Sequence, residues 1–81
     1  MSVVVLLFGP HAAALGRDRV TVVLGDDPSC IAVIDSLKAQ HPALAPLLQG
    51  ARIAVNGRFG RSETYVNAGD ELALIALVAG G

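Results

Sequence analysis

With 81 residues the chain makes one domain with a single modest core, because a domain this small buries only about 60–65% of the surface its unfolded form exposes. Six Lys and Arg scattered among seven Asp and Glu leave a net charge of −1 and no basic stripe, which argues against nucleic acid as a partner. Apolar residues reach 53% while charged ones fall to 16%, against a usual ~25%, so part of the apolar surface is expected to face another protein.

In chain order, Val3-Val4-Val5-Leu6-Leu7-Phe8 reads as a β-branched strand buried on both faces and ended by Gly9-Pro10. A small-residue segment, 11–16, links it to a second strand over 19–24, close enough to pair as a hairpin. After the turn Gly25-Asp26-Asp27-Pro28, Ser29 or Asp27 caps a helix over 30–40. Its inward stripe is expected to be Ile31, Ile34 and Leu37, with Asp35, Lys38 and Gln40 in water. His41-Pro42 stops it, because a residue before proline avoids the helical region.

A short helical turn over 43–48 leads through Gly50 into a strand at 52–56. Asn56-Gly57 is the strongest tight-turn signal in the chain. Residues 58–61 read as a loop or ragged hairpin tip, Thr64-Tyr65-Val66 as a short edge strand, Ala68-Gly69-Asp70 as a turn, and 71–76 as the last strand. The order β-β-α-β-β is an α+β arrangement with one main helix packed across a mixed sheet, the first and last strands adjacent at its centre. That is the order of the ubiquitin-like β-grasp.

The apolar runs are far shorter than the ~20 residues of a bilayer span and no signal sequence opens the chain, so the expectation is a cytoplasmic protein off the membrane. One cysteine, Cys30, makes no internal disulfide and no multi-cysteine metal site. Near a helix start its thiol could be activated, but a lone thiol among apolar neighbours reads as a core residue. His11 and His41 lack a third ligand or a paired nucleophile and are expected at helix edges or in loops. Asp26-Asp27 and Asp70-Glu71 sit in turn contexts that favour acids anyway. No residue of the chain is assigned to catalysis or to a metal.

The informative feature is Val78-Ala79-Gly80-Gly81, where the sequence closes. Without a Cβ, Gly80 and Gly81 can thread a channel that excludes bulkier residues. A terminal carboxylate resists nucleophiles at neutral pH, but as an acyl adenylate it gains a leaving group and accepts sulfur or an amine. From residue 76 to 81 an extended segment reaches at most ~20 Å at about 3.3 Å per residue, enough to enter a partner's buried site from a docked body. Phe59, a ring in a polar, glycine-flanked loop, is the candidate docking anchor, with Ile75, Leu77 and Val78 leading into the tail.

The chain resembles the ubiquitin-like sulfur carriers of the MoaD/ThiS family over nearly its whole length. The matching pieces are Val5-Leu6-Leu7-Phe8, His41-Pro42, Ala54-Val55-Asn56-Gly57, Gly69-Asp70-Glu71-Leu72-Ala73-Leu74-Ile75 and Gly80-Gly81. The helical segment 42–50 is like the molybdopterin branch, whose carriers usually have Pro-Pro where this chain has Ala76-Leu77. The resemblance implies that a ubiquitin-activating-like adenylyltransferase uses ATP to adenylate Gly81 and that a sulfur donor protein converts it to a thiocarboxylate. It implies further that the carrier docks on a MoaE-like large subunit of molybdopterin synthase, two small and two large subunits together. There Gly80 and Gly81 enter the large subunit's active site and sulfur passes to cyclic pyranopterin monophosphate. It also implies an apolar contact at Phe59, and neither catalysis nor a bound cofactor in this chain alone. Three alternatives stay open: a carrier for thiamin, cysteine or a secondary metabolite; a protein modifier joined to lysine through the same diglycine; and a β-grasp module that binds without using its terminus.

Overall fold

β-branched residues dominate β1 (Ser2–Leu7) and β2 (Arg19–Val23), which pair antiparallel from Ser2 opposite Val23 to Leu6 opposite Arg19 in the computed structural model, whose described residues are 1–76. β3 (Arg52–Val55), β4 (Arg58–Phe59) and β5 (Leu72–Ile75) complete a mixed sheet in the order β2-β1-β5-β3-β4. β5 lies at the centre, parallel to β1 and antiparallel to β3, so the first and last strands are adjacent as the sequence predicts. Helix α2 (Cys30–Gln40) and a 3₁₀ segment (Pro42–Leu47) join the strands around one core that includes Val5, Leu7, Val22, Val33, Leu37, Leu44, Ile53, Leu72 and Leu74. The chain is thus a ubiquitin-like β-grasp.

β1 is not buried on both faces. Its burial alternates, with Val3, Val5 and Leu7 inside, Val4 44% exposed and Leu6 half-buried. The odd-numbered side chains meet the core and the even-numbered ones stand on the opposite face, as period-2 strands require. The linker expected over 11–16 is instead helix α1 (Gly9–Leu15). Pro10 pre-sets its first turn, Ala12 to Ala14 propagate it, and Gly16 ends it at φ 65° with its N–H on the Ala12 carbonyl. His11 is not at an edge either: it is fully buried, and its Nε2 donates to the Leu47 carbonyl at 3.1 Å, tying α1 to the 3₁₀ segment.

α2 keeps its expected bounds. Ser29 caps it, its hydroxyl accepting from the Ala32 N–H at 3.2 Å while Asp27 Oδ1 accepts from the Ser29 N–H. The inward stripe is Cys30, Val33 and Leu37, whereas Ile31 is 43% exposed and Ile34 half-buried. The phase is set from outside the helix: the Cys30 and Ile31 N–H groups donate to the Thr64 and Ser62 carbonyls at 2.8 and 2.9 Å, turning Cys30 under that loop. The same contacts explain why 64–66 is not an edge strand. Its backbone is committed to the helix start, through a bridge between Ser29 and Tyr65 and a Val66 N–H bond to the Pro28 carbonyl, and Val66 is buried there.

Asn56 and Gly57 turn β3 into β4 with φ of 52° and 83°, the two positive values of a tight hairpin. This makes residues 58–59 a short strand of the hairpin, within the stretch expected to be a loop or ragged hairpin tip. Asn56 also fixes the start of β5. Its Oδ1 accepts from the Glu71 N–H, and its Nδ2 donates to Asp70, whose carboxylate accepts from the Asn67 N–H as well. The Asn67 bond first and the Asn56 bond second hold the Asp70 pKa below the ordinary value.

Candidate functional site

The sheet face turned away from α2 carries the candidate residues. Leu6 lies opposite Ala73, Ala73 opposite Ala54 and Ala54 opposite Phe59, so four strands contribute one apolar row to this face. In the next row Ile75 lies opposite Arg52. The Arg52 guanidinium carbon stands 5.1 Å from the Phe59 ring centroid, and its Nη2 donates to the Gly60 carbonyl at 3.2 Å. Arg52 therefore links the two expected contact residues, holding one side of the ring by cation–π attraction while Phe59 stays 54% exposed. An aromatic left half in water on an apolar face suits a partner better than the core.

Phe8 extends the surface. It was expected to lie in a doubly buried strand, yet it is 54% exposed and lines a hollow with Pro10, Leu74, Ile75 and Ala76. Its signal was parity: Val4, Leu6 and Phe8 stand on one side of β1, so it shares the face of Ile75. Among the described residues the lining of the hollow runs as far as Ala76. The expectations for Leu77, Val78, Gly80 and Gly81 lie outside the described residues.

The other singled-out side chains fall elsewhere. Cys30 is buried, and burial pushes its thiol pKa up, which opposes a nucleophilic role. A Cβ built on Gly60 would stand 2.8 Å from Cys30 Sγ. Gly60→Ala is accordingly expected to lower stability by about 1–3 kcal/mol through overpacking. A denaturant midpoint equal to wild type would show instead that the Cys30 side chain gives way. Asp27 and Asp70 are spent on turn N–H groups. Among the described residues no three His, Cys, Asp or Glu side chains come together as a metal site, and no helix is long and apolar enough to cross a membrane.

Residues 5–81 match the model of the ThiS family. Among solved structures the chain is similar to SAMP1 from Haloferax volcanii at 29% identity, covering 100% of both chains with a TM-score of 0.81. It is similar at 25% identity, again over 100% of both chains and with a TM-score of 0.61, to a chain of the complex of subunits 1 and 2 of molybdopterin-converting factor from Helicobacter pylori. The putative molybdopterin converting factor subunit 1 from Pyrococcus furiosus shares the fold, with a TM-score of 0.80 at 21% identity over 96% of this chain and 99% of that one. No curated protein matches the chain.

Proposed function

The chain belongs to the ThiS family, and from that membership we propose that it is a sulfur carrier loaded at Gly81 that donates sulfur as the small subunit of a molybdopterin synthase. The observation that carries the reading is the family match itself, which runs through Gly80 and Gly81. The whole-chain likeness to a chain of the Helicobacter pylori two-subunit complex supports the branch and the partner.

In this reading an adenylyltransferase binds the carrier and ATP. A Gly81 carboxylate oxygen attacks the α-phosphate, pyrophosphate leaves, and the acyl adenylate forms. A persulfide on a donor protein then displaces AMP, which carries that oxygen away, and a second thiol cleaves the resulting acyl disulfide, leaving the thiocarboxylate on Gly81 and a disulfide on the donor. The large subunit supplies the catalytic groups that pass the sulfur to cyclic pyranopterin monophosphate. The sheet face with Phe59, Ile75 and Phe8 docks on the large subunit, with Leu77 and Val78 continuing the contact and Gly80 and Gly81 entering its site.

The test is a single turnover of thiocarboxylated carrier with the large subunit and cyclic pyranopterin monophosphate. Molybdopterin should form while Gly81 returns to a carboxylate. Phe59→Ala should raise the dissociation constant about thirtyfold or more, equivalent to about 2 kcal/mol from a desolvated anchor, and leave the melt of the free domain nearly unchanged. A loaded carrier that docks and yields no molybdopterin contradicts the pathway. Phe59→Ala that unfolds the domain without altering docking contradicts the interface. A second reading rests on the SAMP1 likeness: the same adenylated Gly81 passed to a lysine as a protein modifier.

A further inference from the structure

β2 is an edge strand, and an edge normally presents a row of open N–H and C=O groups to any other strand. Leu24 exchanges bonds with Met1, its N–H to the Met1 carbonyl at 2.7 Å and its carbonyl to the Met1 amine at 3.2 Å, which sets the phase of the ladder. Leu24, Val22 and Val20 bond inward to β1, so Arg19, Thr21 and Val23 point their backbone groups outward. The side chains that end α2 meet them. Gln40 behaves as one residue of a missing strand: its Oε1 accepts from the Val23 N–H at 3.0 Å and its Nε2 donates to the Val23 carbonyl at 2.8 Å. His41 Nε2 donates to the Thr21 carbonyl at 3.2 Å.

We propose that Gln40 and His41 form a latch that closes the β2 edge against strand addition by a second copy of this chain. The segment Val20-Thr21-Val22-Val23-Leu24 is uncharged and rich in β-branched residues, the composition that pairs with itself when exposed on an edge. Two copies paired antiparallel about a two-fold axis at Thr21 would set Arg19 opposite Val23 and Val20 opposite Val22, so no like charges meet. In that register the ladder runs from Thr21 N–H to the other copy's Thr21 carbonyl, from Arg19 N–H to its Val23 carbonyl, and from Val23 N–H to its Arg19 carbonyl, each repeated by symmetry. Every one of these bonds needs the Val23 N–H, the Val23 carbonyl or the Thr21 carbonyl. Those are the atoms that Gln40 and His41 hold. The latch lies on the sheet edge remote from β4, at the opposite end of the strand order from Phe59, so it guards a surface separate from the proposed docking face.

The test compares the full chain with a Gln40→Ala/His41→Ala double variant by sedimentation over a rising concentration series. The double variant should form a concentration-dependent dimer in which Thr21 amide exchange slows, while the wild type stays monomeric. A folded double variant that remains monomeric, or a wild-type chain that itself dimerises through β2, overturns the proposal. Should the variant fail to fold, hydrogen exchange in the wild-type chain decides. The latched Val23 amide should exchange about tenfold or more slower than the outward Thr21 amide, and equal rates overturn the latch.

Discussion

Leu37→Ala is expected to cost about 2–5 kcal/mol of folding stability, the largest loss of any single truncation considered for this domain. Leu37 is fully buried on the inner face of α2, one turn beyond Val33, and its deletion leaves a cavity beneath the helix that holds the sheet together. Domains have only about 5–15 kcal/mol in all, and small ones lie near the bottom, so the variant should be partly unfolded at ordinary temperature. Urea melts measure the loss. A loss under about 1 kcal/mol would mean that the core collapses around the site and that α2 is not the chief prop of the fold. Phe59→Ala is the control, because its ring stands half in water on the other face.

Elements with local signals were legible in the sequence. The Ser29 cap and the His41-Pro42 stop gave α2 its bounds, and Asn56-Gly57 gave the hairpin, because a few neighbouring residues fix each of them. α1 carries its own signals, Pro10 early and Gly16 after the alanines, but in sequence the same residues fit the end of a strand and a small-residue link equally well. Features set at long range were not legible. The rotation of α2 toward Cys30 and Val33 depends on carbonyls of Ser62 and Thr64, more than thirty residues away. The same bonds removed the expected edge strand at 64–66. His11 became a core residue because the 3₁₀ segment brings the Leu47 carbonyl to it, which no pattern near His11 announces.

The candidate site divides along the same line. Phe59 stands out in the sequence as a ring in a polar, glycine-flanked loop and is 54% exposed, whereas Ile75, named for its place before the tail, is half-buried in the next row. Arg52 over the ring and Phe8 beside Ile75 emerge only when the four strands are in register.

Removing Gly81, or adding one residue after it, should abolish sulfur loading altogether while leaving the melt of the domain unchanged. Adenylation requires the carboxylate at the end of a segment without side chains, and neither variant offers it at that position. The last core residue among those described is Leu74 and β5 ends at Ile75, both upstream of either change. A tail-extended variant that loads as well as wild type would move the chemistry away from Gly81.

The central claim is tested most directly by the intact mass of the full chain after incubation with its adenylyltransferase, ATP and a sulfur donor. Exchange of one carboxylate oxygen for sulfur predicts a gain of about 16 Da, localised to Gly81 on fragmentation. An unchanged mass with all components active, or Gly81 found only in amide linkage to lysine, would contradict the sulfur carrier.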